Sequence, residues 1–239
     1  MLPPTAIAFD LDGTLIDSRG DIVAAVNHAL IRTGRTPLPG QVVLRFIGDG
    51  ARSLCARAAQ LSESAEEASE ELGVLVDHFV EYYLEHPVDL TRWSPGAQEA
   101  LETFAEEMPD IALGICTNKP RSSTEAVLSA LGIRTRFRAI VAGGDLPEKK
   151  PAPGPLLLLA KGLRATPESM VMVGDGPQDI ECARRAVVRS VAVESGFTSH
   201  ERLLAAHPDV MLRSLAELPE VIQRWRDATA RISAHIGRS

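Results

Sequence analysis

Two carboxylates separated by a single residue follow the first apolar run of the chain. Asp10 comes directly after Ala6–Phe9, and Asp12 is followed by Gly13. Residues i and i+2 of an extended chain point to the same side, so these carboxylates would repel each other without a cation nearby. Mg²⁺ suits such a place because it takes few protein carboxylates and keeps water and substrate oxygens as ligands. One carboxylate could then attack phosphorus, and the other could protonate the leaving oxygen and later activate water.

Polar side chains also follow three later apolar runs. They are Thr117 and Asn118 after Ile111–Cys116, Lys149 and Lys150 after Ala139–Ala142, and Asp175 and Asp179 after Met170–Val173. Ligands of open α/β sheets bind beyond the carboxyl ends of the strands, so we expect these residues in one site. A hydroxyl, an amide and an ammonium group there could hold a phosphoryl group, and Asp175 could offer a further oxygen to a metal.

Each motif taken alone has a structural explanation. Solvated acids at a turn would explain Asp10 and Asp12, a helix N-cap would explain Thr117 and Asn118, and a surface position would explain Lys150. The order of the motifs, each at the end of an apolar run, favours the functional interpretation.

The apolar runs that precede these residues, and the helical patterns between them, predict an α/β fold. Apolar runs without alternation indicate strands buried on both faces of a parallel sheet, and helical patterns separate them. The predicted strands are Ala6–Phe9, Ile111–Cys116, Ala139–Ala142, Met170–Val173, Ser190–Val193 and Val210–Leu212. The clearest intervening helices are Thr124–Leu131 and Pro155–Leu163.

Residues 16–90 interrupt this alternation. Apolar spacing predicts helices at Ser18–Ile31, Arg52–Gln60 and Ala65–Leu84, with Ser18 and Asp21 placed as a capping box for the first. We interpret 16–90 as an all-helical cap domain inserted after the first strand, with 1–15 and 91–218 as the core. The acidic run Glu63–Glu71 is interpreted as a solvated helix face.

Residues 219–239, at the C-terminal end of the sequence, are predicted to form one further helix. Val221, Ile222, Trp225, Ile232 and Ile236 stand at helical spacing. This pattern favours packing on the sheet, and a homodimer interface is the alternative.

Composition narrows the functional classes. The 239 residues hold 25 Lys and Arg against 32 Asp and Glu, and this net charge of −7 gives no general attraction for nucleic acid or a membrane. Three widely spaced cysteines without a CxxC pair fit a reducing compartment, and no secretory signal is readable at the start. We therefore expect a cytoplasmic protein.

The four motifs together resemble those of the haloacid dehalogenase-like phosphohydrolases. The matching segments are Phe9–Leu15, Thr117–Lys119, Lys150–Pro153 and Gly174–Asp179, and the resemblance extends to about Leu218. Within that superfamily, finer features resemble bacterial phosphoglycolate phosphatases, namely Leu15–Ser18, Phe46–Gly50, Cys116–Pro120 and Gly143–Asp145.

The resemblance implies a Rossmann-like core with a helical cap and a Mg²⁺-dependent phosphatase acting on a small phosphorylated metabolite, with 2-phosphoglycolate as the expected substrate. It makes Asp10 the nucleophile and a metal ligand, and Asp12 the general acid and base, which also lends its backbone carbonyl to the metal. Thr117 and Lys150 would bind phosphate beside Asn118. Asp175 would complete the metal site, and Asp179 would support the site without binding the metal. Lys150 is preferred to Lys149 because it directly precedes the proline.

Two residues depart from the family pattern. Gly176 stands where Ser or Thr is usual, and Val187 where Gly is usual. Neither change removes a reacting group, so we expect effects on rate or specificity rather than on reaction type. Arg52 could contact a substrate carboxylate, although an exposed helix arginine is the favoured interpretation.

Other functions remain open on sequence grounds. A phosphatase for a sugar phosphate or pyrophosphate and a phosphoglucomutase-like transferase share the motifs, whereas Asp12 argues against a dehalogenase. A catalytically silent binding protein would be expected to lack Asp10, Asp12 or Asp175. A dinucleotide-binding module is disfavoured because no GxGxxG follows the first strand.

Overall fold

Six parallel strands form the main sheet of the protein. The structure is a computed structural model and describes residues 2–63, 66–194 and 196–236, without the side chains of 66–69 and 232–236. Within these residues the strands are β1 (Ala6–Phe9), β2 (Ile16–Asp17), β3 (Arg92–Trp93), β4 (Ala112–Pro120), β5 (Ala139–Gly143), β6 (Met170–Gly174), β7 (Arg189–Val193) and β8 (Val210–Leu212). The main sheet has the order β5-β4-β1-β6-β7-β8, and all its neighbours are parallel.

Helices cover the sheet and fill the long insertion. In the described part of the chain they are α1 (Arg19–Arg32), α2 (Gly40–Leu44), α3 (Ala51–Ala59), α4 (Glu66–Glu85), α5 (Ala97–Glu107), α6 (Arg121–Ala130), α7 (Gly154–Leu163), α8 (Pro177–Ala186), α9 (His200–Ala205) and α10 (Leu218–Ile236). The α/β fold class with a Rossmann-like parallel sheet is confirmed.

The central strands are apolar throughout because both faces of the sheet are covered. Ile7 and Phe9 of β1 belong to one buried cluster, whereas Ala6 and Ala8 belong to another. Successive strand residues point to opposite faces, so each face needs its own apolar side chains. This arrangement explains why the strands read as uninterrupted apolar runs.

The insertion leaves the core after β2 and returns at β3. These two short strands pair antiparallel, with Ile16 opposite Trp93 and Asp17 opposite Arg92. The helices α1 to α4 lie between them, and α4 packs on both α1 and α3. The division of the chain into core and cap domains stays a prediction.

The predicted capping box at the start of α1 is wrong. The Ser18 side chain makes no cap hydrogen bond, and its hydroxyl donates instead to Asp12 Oδ1 at 2.6 Å. The Asp21 carboxylate accepts hydrogen bonds from the backbone N–H groups of Leu90 and Thr91 and from the Thr91 hydroxyl. Ser18 therefore binds a carboxylate six residues earlier in the chain, whereas Asp21 binds a segment that only the tertiary fold brings near. Asp21 thereby joins the start of α1 to the segment directly before β3, where the insertion returns to the core.

The C-terminal helix α10 packs on α5. Val221 and Ile222 are buried, and Trp225 lies against the same core with the Arg189 guanidinium 4.9 Å from its ring centroid. Ile232 and Ile236, on which the predicted pattern also depended, lie outside the described side chains, as does part of the acidic run Glu63–Glu71.

The three cysteines, Cys55, Cys116 and Cys182, are all buried as free thiols. Among the described residues, no helix combines the length and apolar character needed to cross a membrane.

Candidate active site

The ammonium group of Lys150 lies at the carboxyl end of β1. Its Nζ is 2.9 Å from Asp10 Oδ1 and 2.6 Å from Asp179 Oδ1, and it donates to the Cys116 carbonyl at 2.6 Å. Lys150 is only 1% exposed. A lysine this deeply buried stays charged because two carboxylates face it. These carboxylates raise the pKa of Lys150 above its ordinary value although burial alone would lower it.

Three buried carboxylates surround this single ammonium group. Oxygen atoms of Asp10, Asp175 and Asp179 all lie within 4.8 Å of one another. Burial, reinforced by the charges of Asp10 and Asp179, raises the pKa of Asp175 well above its ordinary value. Burial also raises the pKa of Asp179 to about 6, although Lys150 opposes this change. Three carboxylates against one ammonium group leave the cluster short of positive charge. A divalent ion such as Mg²⁺ would supply it, and the hard oxygen donors of the carboxylates fit such an ion.

Backbone geometry fixes Asp175 in this cluster. Its Oδ2 accepts a hydrogen bond from the Phe197 N–H at 2.8 Å, and its Oδ1 accepts one from the Thr14 hydroxyl at 3.3 Å. Gly13 has a φ of +88°, and a Cβ atom there would lie 2.3 Å from Asp175 Oδ2. Only glycine allows the chain after Asp12 to pass this close to Asp175.

The Asp12 side chain is held apart from the three-carboxylate cluster. Besides Ser18, the Lys119 ammonium group donates to both of its carboxylate oxygens at 3.1 Å. Lys119 Nζ also lies 3.9 Å from the centroid of the Tyr83 ring, on helix α4. Sequence reasoning missed Lys119, although its position directly after Asn118 at a strand end was a usable signal.

Asn118 connects the end of β4 to two other segments. Its Nδ2 donates to the carbonyl groups of Gly48 and Lys150, and its Oδ1 accepts from the Lys150 N–H at 3.0 Å. The side chain therefore positions Lys150 and the loop before α3. Thr117 Oγ1 accepts from the Lys119 N–H at 3.2 Å, and the Thr117 side chain lines the same cavity as Asp10.

Asp179 is fully buried beside Lys150, and its role in supporting the site without binding the metal stays a prediction. Its Oδ1 accepts from Lys150, and its Oδ2 accepts from the Gly176 N–H at 3.0 Å. Both oxygens thus have partners already. Gly176 lies directly before α8, at its N-cap position, with a φ of −126°. The absent Ser or Thr hydroxyl therefore removes a helix cap but leaves the backbone in an ordinary conformation.

A cavity of about 460 Å³ opens above these residues, between the sheet edge and the insertion. Asp10, Thr117 and Asp175 are among its core residues, and Leu44, Ile47, Leu54 and Phe79 are among those from the insertion. Arg52 is exposed and is not among the lining residues, in agreement with the favoured interpretation. The cations that line the cavity are Arg45, Arg57, Lys119 and Arg202.

Comparison with known proteins shows the family. Residues 7–193 match the model of the haloacid dehalogenase-like hydrolases, and the chain belongs to this family. The phosphoglycolate phosphatase of Neisseria meningitidis is 37% identical over 223 residues, which cover 91% of this chain and 93% of the relative. That of Mannheimia succiniciproducens is 33% identical over 219 residues, which cover 90% and 97%.

A solved structure agrees with these relatives. The crystal structure of a predicted phosphoglycolate phosphatase from Haemophilus somnus is 29% identical, has a TM-score of 0.81, and covers 92% of this chain and 99% of that one. The family and its relatives confirm the prediction of an enzyme that hydrolyses phosphoric monoesters.

Proposed function

We propose that this chain is a Mg²⁺-dependent phosphatase that hydrolyses a small phosphate monoester through an aspartyl-phosphate on Asp10, with 2-phosphoglycolate as its preferred substrate. The observation that carries the reaction type is the placement of buried Asp10 between the ammonium group of Lys150 and the carboxylate of Asp175, at the floor of the cavity. The names of the relatives, together with Arg45 and Arg202 in the lining of the cavity, support an anionic substrate.

The phosphoryl group would bind against the ends of β1 and β4. The Lys150 ammonium group neutralises part of the phosphate charge, and the Thr117 hydroxyl and the backbone N–H groups at this strand end donate hydrogen bonds to its oxygens. Asn118 contributes through its backbone, since its side chain already holds Lys150 and Gly48. Phosphate is thereby placed in line with the Asp10 carboxylate.

Two displacements at phosphorus then complete the reaction. An Asp10 oxygen attacks phosphorus, the bond to the leaving oxygen breaks, and Asp12 protonates that oxygen. Asp12 then accepts a proton from water as the water oxygen attacks the aspartyl-phosphate, which regenerates Asp10 and releases inorganic phosphate. For both steps one oxygen of the Asp12 carboxyl must exchange its present contacts for contacts with substrate or water, while the other oxygen keeps its hydrogen bond from Lys119.

The residues that would hold Mg²⁺ are Asp10 and Asp175 through their carboxylates and Asp12 through its backbone carbonyl. The ion would neutralise the carboxylates that repel an incoming phosphate and would stabilise charge on the phosphoryl oxygens. Asp179, whose oxygens already bind Lys150 and Gly176, would position the lysine.

Residues 16–90 would act as a cap over this site. Leu44, Ile47 and Phe79 present apolar surface to the cavity opposite Asp10. Closing this surface over the phosphate would exclude bulk water until the aspartyl-phosphate forms. The cap would also select the leaving group.

The direct test is phosphate release from a panel of monoesters, assayed with Mg²⁺ and with EDTA. The panel includes 2-phosphoglycolate, a sugar phosphate and pyrophosphate. Release that requires Mg²⁺ and is fastest with 2-phosphoglycolate is expected. If another ester is hydrolysed fastest, 2-phosphoglycolate is not the preferred substrate, but the proposed mechanism stands. If no ester releases phosphate, the protein is a binding protein and not a phosphatase.

Asp10→Asn tests the nucleophile. The amide cannot form the aspartyl-phosphate, so turnover and acid-stable protein-bound phosphate from a labelled substrate should both disappear while the melting temperature is retained. Asp77→Asn, at an exposed position of α4, is the matched control. Near-normal Mg²⁺-dependent turnover by Asp10→Asn would rule out this assignment.

A further inference from the structure

Four cationic side chains line the cavity, and two of them already have acidic partners in its wall. Lys119 binds the Asp12 carboxylate, and the Arg57 guanidinium lies 2.5 Å from Asp49 Oδ2. Arg57 also donates to the Phe46 carbonyl. Their charges are therefore neutralised before any ligand enters.

Arg45 and Arg202 differ from these two residues. Within the described part of the chain, neither guanidinium group forms an ion pair or a side-chain hydrogen bond, and both side chains are exposed. Arg45 directly follows α2 in the insertion, whereas Arg202 belongs to α9 of the core. The cavity thus has an unpaired guanidinium group on each of its two walls.

These arginines are separate from the place of the scissile phosphate. Lys150 is almost fully buried and contacts Asp10, which lines the cavity, whereas Arg45 and Arg202 are solvent-exposed. An ester whose phosphorus lies against Asp10 must extend its leaving group away from the floor and toward the open part of the cavity. The unpaired guanidinium groups therefore line the space that the leaving group enters.

We infer that Arg45 and Arg202 form a subsite for a second anionic group, a carboxylate or a phosphate, carried by the leaving alcohol of the substrate. The inference rests on the proposed function only in placing the scissile phosphate at Asp10. A guanidinium group suits this role because its planar donors match both anions. Because the two residues come from the insertion and from the core, an anion bound to both would also favour closure of the cavity.

The subsite is tested by the charge of the leaving group. The substrate pair is 2-phosphoglycolate and 2-hydroxyethyl phosphate, in which a neutral CH₂OH group replaces the carboxylate. We measure kcat/KM for both esters with wild type, Arg45→Ala, Arg202→Ala and the double variant. Arg32→Ala in the insertion and Arg138→Ala in the core are the controls, since both are exposed and neither lines the cavity.

Each single variant should lower kcat/KM for the anionic ester about tenfold, which is the effect of losing one hydrogen bond to a charged group. The neutral ester should change by less than about twofold, and the controls should leave both values unchanged. Ethylene glycol bisphosphate distinguishes a carboxylate subsite from a phosphate subsite. A subsite that prefers phosphate would give this bisphosphate a higher kcat/KM than 2-phosphoglycolate. Added salt should weaken the preference for the anionic ester in wild type and in the two controls but not in the double variant.

The outcomes separate this inference from the proposed substrate. A wild-type preference for 2-phosphoglycolate that survives in the double variant would overturn the subsite and keep the substrate. A preference for another anionic ester that the variants lose would support the subsite and reject 2-phosphoglycolate. Equal use of anionic and neutral esters by wild type would overturn the subsite, while Mg²⁺-dependent release would still support the phosphatase.

Discussion

Lys149 and Lys150 are adjacent in the sequence, but their ammonium groups bind opposite sides of the cavity. Lys150 Nζ is 2.9 Å from Asp10 Oδ1 at the floor. Lys149 Nζ donates at 2.7 Å to both the Asp49 carbonyl and the Ser53 hydroxyl in the insertion. One lysine therefore contacts the proposed nucleophile, and its neighbour holds the insertion against the core.

Lys149→Met should loosen the insertion without altering the groups that react. A hydrogen bond typically contributes about 1 kcal/mol. Loss of these two bonds should therefore lower kcat/KM about two- to tenfold, with most of the change in KM. Steady-state kinetics on the preferred ester measures the effect. Lys161→Met, an exposed lysine of α7, is the matched control and should change nothing. Wild-type kinetics for Lys149→Met would show that these contacts do not hold the insertion during turnover.

Lys119→Met should impair the proton transfer assigned to Asp12. The variant keeps the length of the side chain but removes both hydrogen bonds from the ammonium group to the Asp12 carboxylate. General acid catalysis contributes roughly 10²–10⁴-fold, so a partial loss should lower kcat about 10- to 100-fold for an alkyl phosphate. p-Nitrophenyl phosphate, whose leaving group needs no proton, should lose much less.

The ratio of the two losses is the decisive measurement for Lys119. A variant that is merely less well folded would lose the same factor with both esters. The melting temperature, measured beside that of Lys161→Met, shows how much folded protein each assay contains. Equal losses with the alkyl and aryl esters would contradict a role for Lys119 in positioning Asp12.

Mg²⁺ should stabilise the protein more strongly at high pH than at low pH. In the metal-free protein, burial raises the pKa of Asp179 to about 6 and that of Asp175 well above its ordinary 3.8. A raised carboxyl pKa means that the folded state binds protons more tightly than the unfolded state. This contribution to stability is complete below the ordinary value and is lost as the pH rises through the raised values.

Thermal melts at pH 5 and pH 8, each with EDTA and with Mg²⁺, measure this effect. The EDTA sample should lose more stability between these pH values than the Mg²⁺ sample, because the bound ion replaces the protons that relieve carboxylate repulsion. Asp175→Asn should reduce the difference. An increase in melting temperature with Mg²⁺ that is equal at both pH values would show that Asp175 does not bind the ion.

The sequence predicted the sheet and the floor of the site because both depend on local patterns. Strands buried on both faces must be apolar throughout, and parallel strands place their carboxyl ends at one edge, so Asp10 and Asp175 could be brought together without coordinates. The partners of Asp21 could not be found in this way. Asp21 binds Thr91, 70 residues later in the chain, and that contact exists only once the insertion has folded back.

The arginines that line the cavity away from Asp10 could not be predicted from the sequence either. Arg45 and Arg202 are exposed arginines in short helical segments, and their sequence context does not distinguish them from Arg52. Only the position of the insertion relative to the core decides which arginine faces the cavity. The sequence therefore predicts the groups at Asp10 better than the arginines that line the rest of the cavity.

Val187→Gly should make the protein more stable. Val187 follows α8 with a φ of +59°, in the left-handed region, and its side chain is 66% exposed. A β-branched residue in this conformation costs roughly 1–2 kcal/mol relative to glycine, whereas the exposed side chain contributes little burial. The free energy of unfolding should therefore rise by about 1 kcal/mol, as measured by urea denaturation.

Val187→Ala and Val187→Asn separate the backbone effect from the loss of apolar surface. Alanine removes the branched side chain but keeps Cβ, so it should recover only part of the gain, and asparagine should lie between alanine and glycine because it tolerates the left-handed conformation. The sequence alone led us to expect an effect of Val187 on rate or specificity. The structure changes this expectation: turnover should not change, since Val187 lies at the far end of α8 from Asp179 and does not line the cavity. A loss of stability in Val187→Gly, or equal gains in Val187→Gly and Val187→Ala, would show that the left-handed conformation is not what limits stability at this position.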